Sequence, residues 1–86
     1  DQRRKTVTIA GSPIDLTPLE FRLLASFAMR PGEALSASEL LDQVYGHDHD
    51  KDLNALEVLI GRLRRKIGAQ AIGTRRGVGY FLKVEE

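Results

Sequence analysis

Eighty-six residues, 42% of them apolar and 29% charged, suffice for one domain with a single core and exclude an intrinsically disordered chain. No apolar run approaches the ~20 residues needed to cross a bilayer, the opening "DQRRK" does not read as a signal peptide, and the absence of cysteine excludes disulfides and thiolate metal sites and fits a reducing compartment. The net charge of +1 hides sorted charges: six acids against one base from Glu33 to Asp52, then six bases (Arg62, Arg64, Arg65, Lys66, Arg75, Arg76) and no acid from Arg62 to Arg76. A basic run on a nearly neutral domain creates a local field, and nucleic acid is the first partner to consider.

Along the chain, residues 1–5 read as a linker remnant and 6–86 as the domain. "KTVTIAG" alternates Val7 and Ile9 with Thr6 and Thr8, a half-buried strand closed by Gly11-Ser12-Pro13, and "PIDL" returns as an antiparallel partner. "LTPLEFRLLASFAMRPG" then opens a helix with Thr17 as N-cap, Pro18 at the first helical position and Glu20 completing a capping box. Phe21, Leu24, Phe27 and Ala28 are expected on its buried face and Arg22 and Ser26 opposite, with Pro31-Gly32 as the stop. A second capping box is expected from Ser36 and Glu39 in "SASELLDQVYG", where Leu40, Leu41 and Val44 pack and Gly46 ends the helix. "EAL" before it adds a short strand.

After the polar "HDHDKD" a third helix is predicted from Leu53 to Ile67. Leu56, Ile60, Leu63 and Ile67 form a continuous stripe flanked by Leu53 and Leu59, and Gly68 ends the helix. "AIGTRR" and "GYFLKV" read as two strands around a turn at Gly77-Val78-Gly79. The fold class is therefore α+β: antiparallel strands, three helices, and a closing hairpin.

The third helix turns Asn54, Val58, Gly61, Arg62 and Arg65 away from its apolar stripe, with Glu57 and Arg64 on the flank. Asn and Arg hydrogen-bond base edges, a methyl-bearing Val suits thymine, and further cations suit phosphates. An inert surface helix would place Glu/Lys pairs there. Gly61 costs about 1 kcal/mol relative to alanine, as a tolerated defect or as a place of close approach. The hairpin tip can enter a minor groove, where arginine favours narrow A·T-rich segments.

The line "LTPLEFRLL", "LLDQVYG", "RLRRKI" and "TRRGVGY", in this order and spacing, resembles the C-terminal effector domain of OmpR/PhoB-type response regulators over about Val7 to Val84. The resemblance implies a winged helix-turn-helix, with helix 53–67 as the recognition helix in the major groove and residues 71–84 as the wing at the minor groove. It implies that Arg62 reads a base, that Glu57 and Val58 face bases beside Asn54 and Gly61, and that Arg64 meets phosphate. Thr74 and Arg76 match wing positions at phosphate and minor groove, and Arg65 and Arg75 add phosphate contacts. Family members often carry Arg, His and a basic residue where this chain has Asn54, Leu59 and Gly61. A cytoplasmic bacterial setting is implied, with direct-repeat half-sites bound by a tandem dimer and a receiver domain of the full-length protein outside this chain. The segment His47, Asp48, His49 and Asp50 resembles the one that touches RNA polymerase.

Other readings are weaker. Imidazoles and carboxylates at His47–Asp50 have metal-binding chemistry, but consecutive residues of one loop do not converge on an ion, so neither a metal nor another cofactor is expected. No nucleophile–base pair or phosphate loop points to catalysis. The serious rival is a winged helix that binds protein, since fold does not determine function; such a surface would expose apolar anchors instead of an acid-free basic run.

Overall fold

Alternating apolar and polar residues build a hairpin at the start of the chain. In the computed structural model, which describes residues 5–9, 11–46 and 52–83, β1 (Lys5–Ile9) pairs antiparallel with β2 (Ser12–Leu16), Val7 opposite Ile14. Val7 and Ile14 pack on the core while Thr6, Thr8 and Asp15 face outward. Thr6 Oγ1 donates to Asp15 Oδ1 at 2.8 Å across the ladder.

Three helices follow: α1 (Pro18–Ala28), α2 (Ala37–Tyr45) and α3 (Leu53–Ile67). The capping box on α1 forms in both directions, Glu20 N–H donating to Thr17 Oγ1 and Thr17 N–H to Glu20 Oε1. At α2 only half of the expected box forms. Ser36 Oγ accepts from Glu39 N–H at 3.1 Å, but the Glu39 carboxylate takes Arg30 Nη1 at 2.8 Å and ties the end of α1 to the start of α2. Positive φ at Gly46 and Gly68 ends α2 and α3.

The core joins Leu16, Leu23, Phe27, Leu35, Leu40, Val44, Leu56 and Leu63, all fully buried. The face expected for α1 is rotated: Leu23, Phe27, Glu20 and Ser26 point inward, Phe21 and Leu24 are half-buried, and Ala28 is exposed. Ser26 is accommodated because its hydroxyl donates to Arg22 C=O one turn back. On α3 the stripe is Leu56, Leu59, Ile60 and Leu63; Ile67 is half-buried and Leu53 exposed.

The closing hairpin pairs β3 (Ile72–Arg75) with β4 (Gly79–Leu82). "EAL" contributes a single bridge instead of a strand. Leu35 N–H donates to Tyr80 C=O at 2.7 Å and Tyr80 N–H to Leu35 C=O at 3.0 Å, while Gly32 N–H reaches Leu82 C=O at 3.0 Å. These bonds fasten β4 to the turn between α1 and α2. The architecture is the expected α+β winged helix-turn-helix.

Candidate nucleic-acid interface

The acid-free run divides once it is folded. Lys66 leaves it: its ammonium donates to the buried Glu20 Oε1 at 2.7 Å and to Asp15 C=O at 3.0 Å, joining the end of α3 to β2 and α1. Arg62, Arg65, Arg75 and Arg76 remain exposed. Among the described residues no acid pairs with any of these four.

On α3, Asp52 accepts from Ala55 N–H at 3.1 Å and starts the helix with a side-chain cap. The side away from the core carries exposed Asn54, Glu57, Val58, Arg62 and Arg65, and half-buried Gly61, the set expected there. Val58 is 50% exposed, an apolar side chain among polar ones. A Cβ at Gly61 would meet nothing within 4 Å, so no packing in the free domain requires the glycine.

Arg64 has a partner that its sequence position did not announce. Its Nε and Nη2 donate to Ile72 C=O at 3.1 and 2.9 Å, Nη2 reaches Thr74 Oγ1 at 3.3 Å, and its guanidinium lies 6.0 Å from the Tyr80 ring centroid. Two N–H groups converge on one carbonyl of the edge strand β3, so α3 and the hairpin are fixed to each other. The two remaining guanidinium hydrogens, both on Nη1, are not used by these bonds. Thr74, whose hydroxyl accepts from Arg64, is itself exposed.

The hairpin turn is one residue earlier than expected. Val78 N–H donates to Arg75 C=O at 3.0 Å, so Arg76-Gly77-Val78 forms the tip, with Gly77 at φ +80°. Arg76 therefore leaves the strand, and alternation along β3 does not set its direction. Alternation does sort the residues of the strands. Ile72, Tyr80 and Leu82 turn to the core, while Gly73 and Phe81, directly paired, share the opposite face with Arg75. The Arg75 guanidinium sits 5.0 Å from the Phe81 ring centroid.

His47, Asp48, His49 and Asp50 lie outside the described residues. Among the described residues no three or more His, Cys, Asp or Glu side chains gather as metal ligands, and no helix is long and apolar enough to cross a membrane. A shallow groove between α1 and α2, lined by Phe21, Arg22, Ala25, Ser26, Met29 and Gln43, holds no acid–base pair.

Residues 11–82 match the family model described as "Transcriptional regulatory protein, C terminal". The transcriptional regulatory protein CseB of Streptomyces coelicolor is 46% identical over 74 residues, 86% of this chain and 32% of CseB. The chain thus spans about a third of the length of this relative. The DNA-binding domain of Bacillus subtilis CssR superposes with a TM-score of 0.78 at 35% identity, covering 90% of this chain and 89% of that one. The Klebsiella pneumoniae RstA DNA-binding domain, solved in complex with the RstA box, superposes with a TM-score of 0.78 at 28% identity over 91% and 82% of the two chains.

Proposed function

The chain belongs to the transcriptional regulatory protein C-terminal family of OmpR/PhoB-type response regulators, and we propose from this that it is the DNA-binding output domain of such a regulator and not an enzyme. The observation that supports this best is the surface running from the outer face of α3 through Arg64 into the wing. It carries the exposed Arg62, Arg65, Arg75 and Arg76, with which no acid among the described residues pairs. RstA, a relative in fold and sequence, is described in complex with its DNA box.

In the proposed complex α3 lies in the major groove. Arg62 reads a base edge, and Asn54, Glu57, Val58 and Gly61 face the bases around it, Gly61 allowing close approach. Arg65, Arg75, Thr74 and the free hydrogens of Arg64 meet phosphates. Arg76, at the wing tip, enters the minor groove, where a narrow A·T-rich segment attracts it by potential. The partners proposed for the full-length protein are its own receiver domain, a second copy on direct-repeat half-sites in a tandem dimer, and RNA polymerase at His47–Asp50. The acidic charge of that segment suits a surface turned away from the duplex.

Binding selection on random duplexes, followed by a salt titration on the selected site, tests the reading. Neutralising ~4 phosphates gives a slope of log K against log[salt] near −4. An enriched motif with that slope is expected. Weak binding without enrichment, or none that responds to salt, would overturn it in favour of a protein partner.

A further inference from the structure

We propose that Phe81 is a positioning residue for DNA binding: it holds the Arg75 guanidinium in its phosphate-binding pose before DNA arrives, on a wing face that Gly73 keeps clear. This rests on the assignment of Arg75 to a backbone phosphate. Three observations converge on the outer face of the wing. Arg75 lies 5.0 Å from the centroid of the Phe81 ring. Phe81 pairs directly with Gly73 across the ladder. A Cβ at position 73 would collide with the ring, meeting its Cε1 at 2.7 Å, so the ring occupies the space a side chain would fill.

The chemistry follows from this geometry. Arg75 is exposed and has no carboxylate among the described residues to orient it. An exposed arginine left free must surrender rotamer entropy when it meets a phosphate. Stacking on an aromatic face restrains the guanidinium plane and leaves its N–H edges pointing outward, free for two phosphate oxygens. Tyr80 serves Arg64 in a related way on the inner face, but there hydrogen bonds to Ile72 and Thr74 also hold the cation. On the outer face the ring is the described contact of Arg75, and a side chain at position 73 would push the ring out of the place it occupies.

The experiment is a double-mutant cycle on the selected duplex, with Phe81→Leu, Phe81→Tyr, Arg75→Ala and Phe81→Leu/Arg75→Ala. NMR of the free domain follows the Arg75 side chain alongside it. In the free wild type the Arg75 δ-methylene resonance should be shifted upfield by the ring, and the shift should vanish in Phe81→Leu and persist in Phe81→Tyr. Arg75→Ala should flatten the salt slope by about 0.9. Phe81→Leu should weaken DNA binding about two- to fivefold when Arg75 is present, and not when it is alanine. Phe81→Tyr should bind as the wild type does. Equal loss from Phe81→Leu in both backgrounds would overturn the positioning role and leave the Arg75 phosphate contact standing. An intact ring shift with no effect of Arg75→Ala on affinity or slope would instead remove the phosphate contact itself.

Discussion

Glu20 is the least expected residue of the core, an acid 2% exposed beneath the first turn of α1. Burial by itself would raise its pKa, but the Lys66 ammonium and the Thr17 N–H lower it by more, and the net shift is below the ordinary value of 4.5. A carboxylate with a depressed folded-state pKa contributes stability that is fully present above its unfolded-state value and disappears as pH falls through the folded-state pKa. Glu20→Gln keeps the shape and removes the charge, so Lys66 loses its ionic partner. A cost of about 1–3 kcal/mol is expected at pH 7. Urea unfolding of both proteins at pH 7 and at successively lower pH below 4.5, down through the folded-state value, checks this. The gap should narrow in acid, where the wild-type carboxylate is protonated too; a gap that stays constant would mean that charge is not what Glu20 contributes. The capping half of this residue was legible from "TPLE", because a capping box is local. The Lys66 half was not, since a partner 46 positions away leaves no periodic signal.

Elements set where these residues meet, and the wing depends on one glycine for its seat. A Cβ at Gly79 would lie 2.8 Å from the Leu35 carbonyl carbon and 2.9 Å from Ser36 Cα. Both are backbone atoms, so no side-chain rotation relieves the clash. Gly79→Ala should therefore open the Leu35–Tyr80 bridge while leaving α1 to α3 folded. Hydrogen exchange at the Leu35 and Tyr80 amides should quicken by ~10-fold or more, the factor for each 1.4 kcal/mol. Unchanged protection there would show that the bridge survives by another route. Element existence and type were readable for the two hairpins and the three helices, though not for "EAL", and α3 matches its predicted span because Asp52 and Gly68 mark its ends and one stripe dominates. The buried face of α1 was not. Leu19, Phe21, Leu23, Leu24, Ala25, Phe27 and Ala28 put apolar side chains nearly all round that helix, so several phases fit a 3.6-residue period equally well. Only the neighbouring helices select Leu23 and Phe27 and leave Ala28 outside. The wing turn shifted for a comparable reason: "RRGVG" offers two glycines, and docking against Leu35 draws Gly79 into the strand.

At the scale of the whole molecule, α3 and the wing are held as one unit. β4 is tied to the α1–α2 turn through Leu35 and Gly32, and β3 is tied to α3 through Arg64. A protein that places one element in the major groove and another in the adjacent minor groove needs a fixed offset between them, because the duplex repeats its grooves at fixed spacing. In the proposed complex this gives Arg64 two tasks, phosphate neutralisation and alignment, and substitutions can separate them. Arg64→Lys keeps the charge, but an ammonium on a flexible stem does not reproduce the fork that grips the Ile72 carbonyl. It should retain most of the salt slope while blurring the spacing between the base preference proposed for Arg62 and the A·T preference proposed for Arg76. Arg64→Ala should blur the spacing as well and flatten the slope by about one contact. Arg62→Ala, by contrast, should cost about 1–3 kcal/mol and relax one position with the spacing intact. Random-duplex selection on the three variants reads all of these outcomes from the same kind of data. If Arg64→Lys left the offset between the two preferences as sharp as in the wild type, the attachment of β4 to the helical core would be sufficient to align the wing. Arg64 would then serve DNA binding through its charge alone.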